Sequence, residues 1–250
     1  MCRHLAYLGP PVTLSSLVLE PPHSLLRQSY APADMRGGGT VNADGFGVGW
    51  YAGIEAVRYR SASPIWSDAA FASLAGVTTS TAVLAAVRSA TTGMPVTSTA
   101  AAPFTDGHWL FSHNGVVRGW PESVSDLASG LPVVDLMTLD APTDAALLWA
   151  LVRHRLCGGE NPEVVLADVV TVVAAAAPGS RLNLLLTDGT TIWATAWDHA
   201  LSVATPGATA FVASEPTHPD VTWTEVPLRH LVVALPGHHR ITSLTTTGVR

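Results

Sequence analysis

The chain has 250 residues, a formal net charge of −6, and 48% hydrophobic but only 13% charged residues. It contains no basic block of the kind that binds nucleic acid, and no apolar run reaches the ~20 residues of a membrane-spanning helix. We therefore expect no nucleic-acid partner and no membrane span. No metal is expected either, because the ten histidines follow no ligand spacing.

The sequence shows no internal repeat and no long linker. Its length permits one large domain or two small ones, and we predict a single domain over residues 1–250. No apolar signal-peptide core follows the first residues, so a cytoplasmic location is expected. A disulfide between the two cysteines, Cys2 and Cys157, is possible but weakly supported, because a cytoplasmic chain of this size needs none. The oligomeric state is not given by the sequence.

The first half of the chain alternates short apolar runs with glycine and proline, which is typical of strands and turns. Asp68 is a plausible N-cap and Gly76 a plausible end for a helix between them. The predicted elements are a strand at 5–9, a short helix or turn at 12–20, a hairpin at 45–61, a helix at 68–76, a buried strand at 81–89, and a strand ending in a turn at 107–115.

The second half begins with two clearer helices. Thr143 or Asp144 caps the first, and Pro162 begins the second near its first turn. They are followed by a hairpin that turns at Asp188-Gly189. Helices that lie mainly in two regions amid antiparallel strands predict helices packed against a pair of sheets. The predicted segments are helices at 144–156 and 161–179, a hairpin at 182–197, and strands at 199–205, 209–214, 222–227 and 230–236.

Cys2 is the first candidate for chemistry. Most free cysteines behave as small apolar residues, and most chain ends are poorly ordered. If Met1 is removed, however, Cys2 carries both a thiol and a free α-amine, and such groups titrate near neutral pH in peptides. One residue would then supply a nucleophile and its base, which is the N-terminal-nucleophile arrangement.

Two glycine-containing stretches point to close packing or to hydrogen-bond donors. In VNADGFGVGWY, residues 41–51, glycine recurs at every second position and removes side chains from one strand face, so backbone or ligand must approach that face. In FSHNGVV, residues 111–117, Asn114-Gly115 is most simply a hairpin turn. Alternatively, the Asn114 amide and the Gly115 N–H form a donor pair that suits the oxyanion of a tetrahedral intermediate.

Arg88 and Asp144 form a third candidate pair. Arg88 ends a predicted buried strand in a chain poor in cations, where an arginine without a partner is costly to bury. A guanidinium suits a carboxylate and an aspartate suits an ammonium, so together they could bind the charged groups of an α-amino acid. The alternative is a surface arginine and an N-capping aspartate.

These features follow one another in an order that resembles the class II glutamine amidotransferases, also called N-terminal-nucleophile amidotransferases. The resemblance covers roughly the first 160 residues. The stretches MCRHLAYLG, PPHSLLRQSYAP and NADGFGVGWY are further similar to the stand-alone γ-glutamyl hydrolases of ergothioneine biosynthesis. Many family members have DSE where this chain has TDAA at residues 143–146, which leaves fewer acceptors for a substrate ammonium.

The resemblance implies an α+β fold, a four-layer αββα sandwich with two packed, mainly antiparallel sheets. It implies that Cys2 acts as nucleophile and base and that Asn114 and Gly115 form the oxyanion hole. Arg88 would bind the substrate α-carboxylate and Asp144 its α-ammonium. The implied chemistry requires no cofactor.

His113 and Asn42 also match family motifs and are expected to brace the site, with His113 among the substrate-binding residues. The leaving amine of the ergothioneine step carries a trimethylammonium, a cation that favours aromatic faces. Tyr30, Trp66 and Trp109 lie near the candidate segments and are the candidates for a leaving-group pocket.

The implied activity is hydrolysis of a small molecule, γ-glutamyl-hercynylcysteine sulfoxide, at its γ-glutamyl amide bond, with release of glutamate through a γ-glutamyl thioester. One alternative is the glutaminase subunit of a two-protein amidotransferase, because the chain has no P-loop and no second Gly-rich βα unit for an acceptor substrate. Another is a sheet-rich binding protein that keeps the fold without the chemistry.

Overall fold

The computed structural model describes residues 2–35 and 41–244, and Met1 lies outside them. One sheet of the described chain has seven strands in the order β11-β9-β10-β1-β4-β2-β3. All of its pairings are antiparallel. Its strands are β1 (Arg3–Thr13), β2 (Phe46–Ala52), β3 (Glu55–Ser61), β4 (Thr79–Val87), β9 (Ser202–Ala204), β10 (Ala210–Ala213) and β11 (Thr224–Glu225).

The other sheet has six strands within the described residues, in the order β13-β12-β8-β7-β6-β5, and it is also antiparallel. Its strands are β5 (Phe104–Asp106), β6 (Trp109–Val116), β7 (Arg181–Thr187), β8 (Ile192–Ala196), β12 (His230–Leu235) and β13 (His238–Ser243).

Helices cover the outer face of each sheet. Three lie on the first sheet: α1 (Leu14–Val18), α2 (Leu25–Gln28) and α3 (Ala69–Val77). Two long ones lie on the second sheet: α6 (Asp144–Cys157) and α7 (Pro162–Ala176). Two short helices, α4 (Ser125–Ser129) and α5 (Val133–Met137), precede them, and single 3₁₀ turns occur at Ile65–Ser67, Ser98–Ala100 and Glu122–Val124.

The alternation of side chains along β1 produces the layers. Leu5 and Tyr7 pack against the helices on the first sheet, whereas Ala6 and Leu8 face the second sheet. Because successive side chains of a strand point to opposite faces, a strand buried on both sides is apolar throughout. The result is an αββα sandwich, which confirms the predicted fold class. None of the helices given above is long and apolar enough to cross a membrane.

The glycines of β2 are explained by close packing within the protein. A Cβ on Gly47 would lie 2.3 Å from the carbonyl oxygen of Ala102, and one on Gly49 would lie 2.8 Å from a Leu110 methyl group. A real Cβ atom does not come this close to backbone, so the chain at Ala102 can lie against β2 only because residue 47 has no side chain. The predicted close approach is therefore made by the protein itself.

The main differences from the predicted elements are local. Asn114 and Gly115 lie inside β6, paired with Asn183 and Leu182 of β7, and not in a hairpin turn. Tertiary pairing overrides the local turn preference of Asn-Gly here. Gly76 belongs to α3 and does not follow it. The short strand β5 and the polar strand β13 were not predicted, because neither has an apolar alternation.

Both cysteines of the described chain are free. Cys157 is the last residue of α6 and is exposed, whereas Cys2 is half-buried at the start of β1. The two residues therefore have different surroundings, and only Cys2 lies in the pocket described next.

Candidate active site

Cys2 lines a pocket at one end of the sandwich, where strands of both sheets end. The register of β1 with β4 pairs Arg3 with Val87. Cys2 and Arg88, the next residues along, therefore flank one another at the ends of these two strands. His113 and Gly115 from β6 and Asp144 from α6 also line this pocket. Segments distant in the sequence thus contribute a thiol, a guanidinium and a carboxylate to one cavity.

Arg88 is largely buried, and only Pro95 engages its side chain among the described residues, through a 2.8 Å bond from Nη1 to the carbonyl oxygen. Its backbone N–H donates to the Gly45 carbonyl oxygen, which fixes the chain at the end of β4. A carboxylate partner is absent from residues 2–35 and 41–244. The guanidinium therefore keeps donors that an anionic ligand can use.

Asp144 is held in place by the start of α6. Thr143 caps this helix by accepting from the Ala146 N–H, as one of the two predicted caps. The Asp144 carboxylate accepts from the Val117 N–H at 2.9 Å and from the Ala145 N–H at 2.8 Å. Backbone amides thus orient both of its oxygens, and each oxygen retains acceptor capacity for a ligand ammonium.

Asn114 is fully buried on the face of β6 that points between the sheets. Its Nδ2 donates to Ser214 Oγ, which also accepts from the His4 backbone N–H at 3.0 Å. The Asn114 Oδ1 has no hydrogen-bond partner within the described chain. Gly115 follows it and lines the pocket with Cys2, so one member of the predicted donor pair shares the pocket with the predicted nucleophile.

His113 precedes this pair on β6 and hydrogen-bonds to the neighbouring strand β7, and its bracing role stays a prediction. Its Nε2 donates to the Arg181 carbonyl oxygen at 3.0 Å, and its ring lines the pocket. Asn42 is also fully buried, and its backbone N–H donates to the Ser29 carbonyl oxygen at 2.6 Å. Neither polar atom of the Asn42 side chain has a partner among the residues described. A bracing role for Asn42 stays a prediction.

The backbone of Cys2 is held by a buried ion pair that the sequence analysis missed. Arg3 donates from Nη1 to the Cys2 carbonyl oxygen at 3.0 Å and from Nε to Glu215 Oε1 at 2.7 Å. Burial raises the pKa of Glu215, but hydrogen bonds from His23, Arg3 and the Ala33 N–H lower it to about 2. The available signal was Arg3, a charged residue in the first buried strand. Its partner Glu215 lies too far along the chain to be predicted from the sequence.

His4 lies directly behind the site between the two sheets. Burial, with smaller effects from His113, His199 and Arg3, lowers the pKa of His4 to about 3. The ring is therefore neutral at physiological pH. Its Nδ1 lies 3.3 Å from Ser112 Oγ. His4 therefore makes the interior end of the site polar without adding a charge.

The three aromatic residues predicted for a leaving-group pocket do not line the cavity that holds Cys2. Trp109 begins β6, six residues from Gly115, and packs against Trp193. Six residues of extended strand span about 20 Å, so Trp109 lies at the far end of the sheet. Tyr30 and Trp66 form an exposed edge-to-face pair with ring centroids 5.9 Å apart.

No group of three or more His, Cys, Asp and Glu side chains in residues 2–35 and 41–244 is arranged to hold a metal ion. The charged groups of the pocket are the Arg88 guanidinium, whose chemistry suits a carboxylate, and the Asp144 carboxylate, whose chemistry suits an ammonium. Together with a thiol and the Asn114-Gly115 pair, they make the cavity suitable for acyl transfer from a γ-glutamyl group.

The sequence and the fold are both similar to those of known proteins. The family model for glutamine amidotransferases class-II matches residues 17–209. The chain is 44% identical over 233 residues to a gamma-glutamyl-hercynylcysteine sulfoxide hydrolase of Mycobacterium tuberculosis, with 93% of this chain and 92% of that protein covered. A protein of the same name from Mycolicibacterium smegmatis is 42% identical over 247 residues, with 98% and 100% covered.

Among solved structures, a glutamine aminotransferase class-II domain protein from Silicibacter pomeroyi has a similar fold. The TM-score is 0.70 at 23% sequence identity, and the match covers 98% of this chain and 100% of that one. At this identity the similarity establishes the shared sandwich architecture.

Proposed function

The chain belongs to the class-II glutamine amidotransferases, and on that premise we propose that it hydrolyses γ-glutamyl-hercynylcysteine sulfoxide. The reaction releases glutamate and hercynylcysteine sulfoxide. Two proteins named for this hydrolase activity are 42% and 44% identical to the chain over nearly their whole lengths. The proposal treats residues 1–250 as one domain.

The observation that carries the proposal is the composition of the Cys2 pocket. Arg88 and Asp144 line it together, and neither pairs with an oppositely charged side chain within the described residues. A γ-glutamyl group carries an α-carboxylate and an α-ammonium at one end and its reactive carbonyl three carbons away. Binding of the two charges by Arg88 and Asp144 leaves the carbonyl to extend toward Cys2.

In the proposed mechanism the Cys2 thiolate attacks the γ-carbonyl carbon, and the carbonyl oxygen becomes an oxyanion. The Asn114 amide and the Gly115 N–H donate hydrogen bonds to it. Collapse of the tetrahedral intermediate breaks the C–N bond, and the leaving amine takes a proton. The resulting γ-glutamyl thioester is attacked by water, which releases glutamate and regenerates the thiol.

The proposed base is the α-amine of Cys2 itself. It accepts the thiol proton directly or through water and later returns it to the leaving amine. This role requires removal of Met1, because an acylated amine cannot accept a proton. Intact-mass measurement of the protein purified from its native host tests the requirement, and a mass that retains Met1 excludes the mechanism.

A comparison of three substrates tests the proposed function. We expect kcat/KM for γ-glutamyl-hercynylcysteine sulfoxide and for its unoxidised thioether each to exceed that for glutamine. Glutamate release is measured for each, with Cys2→Ala as the inactive control. A preference for glutamine that strengthens when a partner protein is added would instead identify a glutaminase subunit. Full activity of Cys2→Ala would exclude both enzyme functions.

A further inference from the structure

Most arginines in the described part of the chain pair with a carboxylate. Arg27 is an exception and contacts the ring and hydroxyl of Tyr30. Arg88, Arg118 and Arg181 make no ion pair with any described residue. The paired arginines are Arg3, Arg58, Arg60, Arg153, Arg155, Arg229 and Arg240.

Arg181 lies at the same end of the sandwich as Cys2. It is the first residue of β7 and pairs with Val116 of β6. Its carbonyl oxygen lies so close to Gly115 that a Cβ there would be 1.8 Å away. The backbone of Arg181 is therefore in contact with the predicted oxyanion hole.

The side chain of Arg181 points to the same side as that of Cys2. Along β7, Leu182 packs with the outer helices and Leu185 faces the first sheet, so Arg181 shares the inward face with Leu185. On β1, Ala6 faces the second sheet. Cys2 precedes it by an even number of residues, so its side chain points to the same face. At the open edge, the arginine and the thiol thus project into the same space between the sheets.

The protein does not satisfy the Arg181 guanidinium. Its Nε is buried without a hydrogen-bond partner, although the residue as a whole is partly exposed. Burial and the nearby Arg118 lower the pKa of Arg181, whereas Cys2 raises it. An arginine nevertheless remains charged at neutral pH. A cation without an anion at the end of the sandwich that holds the nucleophile indicates that the anion arrives with the substrate.

We infer that Arg181 binds the carboxylate of the leaving group, the one on the carbon that bears the scissile nitrogen. The inference rests on the proposed function, since the released amine is then a cysteine derivative with a carboxylate at that carbon. Standard bond lengths put this carboxylate roughly 3–5 Å from the carbonyl carbon that Cys2 attacks. Arg88 would hold one carboxylate of the substrate and Arg181 the other. Glutamine releases ammonia and offers nothing to Arg181, so this residue favours γ-glutamyl amino acids.

The test compares two substrates that differ only in this carboxylate: γ-glutamyl-S-methylcysteine and γ-glutamyl-S-methylcysteamine. We expect Arg181→Gln to lower kcat/KM for the first about 10- to 100-fold, mainly through KM. The second should change less than threefold. Arg181→Lys should restore part of the loss, because it keeps the charge but not the bidentate geometry. Arg229→Gln, which alters an exposed arginine paired with Asp198, is the matched control.

Equal losses on both substrates would overturn the inference, since Arg181 would then act through Cys2 or the fold. Unchanged kinetics on both would overturn it too. If Arg181→Gln does not fold, as judged by thermal denaturation, Arg181→Lys gives a comparison of the same kind, with a smaller loss expected on the first substrate only. Failure of the wild type on γ-glutamyl-hercynylcysteine sulfoxide, with a retained preference for γ-glutamyl-S-methylcysteine, would refute the proposed substrate but not the role of Arg181.

Discussion

Asn114 donates a side-chain N–H to Ser214 Oγ across the space between the two sheets, with 2.9 Å between the heavy atoms. The Ser214 backbone N–H donates to the His4 carbonyl oxygen, and the His4 N–H donates to Ser214 Oγ, so Ser214 is tied to the strand that begins beside Cys2. An amide nitrogen has two donors, and Ser214 engages one of them. The other is the donor proposed for the substrate oxyanion, and its direction is set by the contact with Ser214.

We predict from this contact that Asn114→Ala lowers kcat about 10²- to 10³-fold, the usual cost of losing one oxyanion donor. Ser214→Ala keeps both N–H groups but frees the amide to rotate. Its loss should therefore be smaller and should appear in kcat more than in KM. Steady-state kinetics with γ-glutamyl-hercynylcysteine sulfoxide measure both effects.

The double variant distinguishes this explanation from independent roles. Since Ser214 acts through the Asn114 amide, Asn114→Ala/Ser214→Ala should be no slower than Asn114→Ala alone. A double variant slowed by the product of the two single losses would show that Ser214 contributes in another way.

Asp144→Asn is expected to lower kcat/KM about 10- to 100-fold, because it removes the charge proposed to bind the substrate ammonium. A substrate analogue without the α-amino group should be poor for the wild type. That analogue should lose little more in the variant, since the missing interaction is the same one. Additive losses would contradict the assignment. Thermal denaturation is the control, because Asp144 also accepts from the Val117 N–H.

His4 makes the stability of the protein depend on pH in the mildly acidic range. Its pKa falls from 6.5 when unfolded to about 3 in the folded protein, so the unfolded chain binds more protons between these values. The free energy of unfolding should therefore be highest above pH 6.5 and decrease as the pH falls, by up to about 1.4 kcal/mol per unit for this proton. Urea denaturation at pH 7.5, 6.5 and 5.5 measures the slope.

His4→Gln should flatten that slope, whereas His238→Gln, at an exposed position in β13, should leave it unchanged. An identical slope in His4→Gln and the wild type would contradict the assignment. Glu215 acts in a lower window, because its folded pKa is about 2 against 4.5 in the unfolded chain. The stability that Glu215 contributes is present above pH 4.5 and is lost as the pH falls toward 2.

Glu215→Gln is predicted to reduce the free energy of unfolding by about 3–5 kcal/mol, since it removes the charge of a buried carboxylate that accepts from the Arg3 guanidinium, His23 and the Ala33 N–H. Arg3 also binds the Cys2 carbonyl oxygen, so activity should fall at temperatures where the variant remains folded. Asp198→Asn, which breaks an exposed pair with Arg229, should cost less than about 1 kcal/mol. Similar losses in both variants would contradict the importance of burial.

The elements that carry a local signal agree with their prediction. Such signals are an apolar period, a cap or a turn, each formed by residues close together in the sequence. They are present in the β2–β3 hairpin, the buried strand β4 and the two long helices. Asn114-Gly115 is the instructive exception. A turn signal in the sequence became part of a central strand, because β7 supplies a pairing partner that local preference does not include.

By itself, the sequence determined which chemistry was available: a cysteine at position 2, an arginine that ends an apolar run, and an aspartate at a helix start. Only the tertiary structure decided which residues lie next to Cys2. Ser214 binds Asn114, Glu215 binds Arg3, and the Arg181 carbonyl oxygen binds His113, because strand ends from distant parts of the chain meet at one end of the sandwich. Trp109 is excluded for the same reason, since it lies at the opposite end of its strand. Strand pairing depends on the whole chain, whereas motifs depend on a few neighbouring residues.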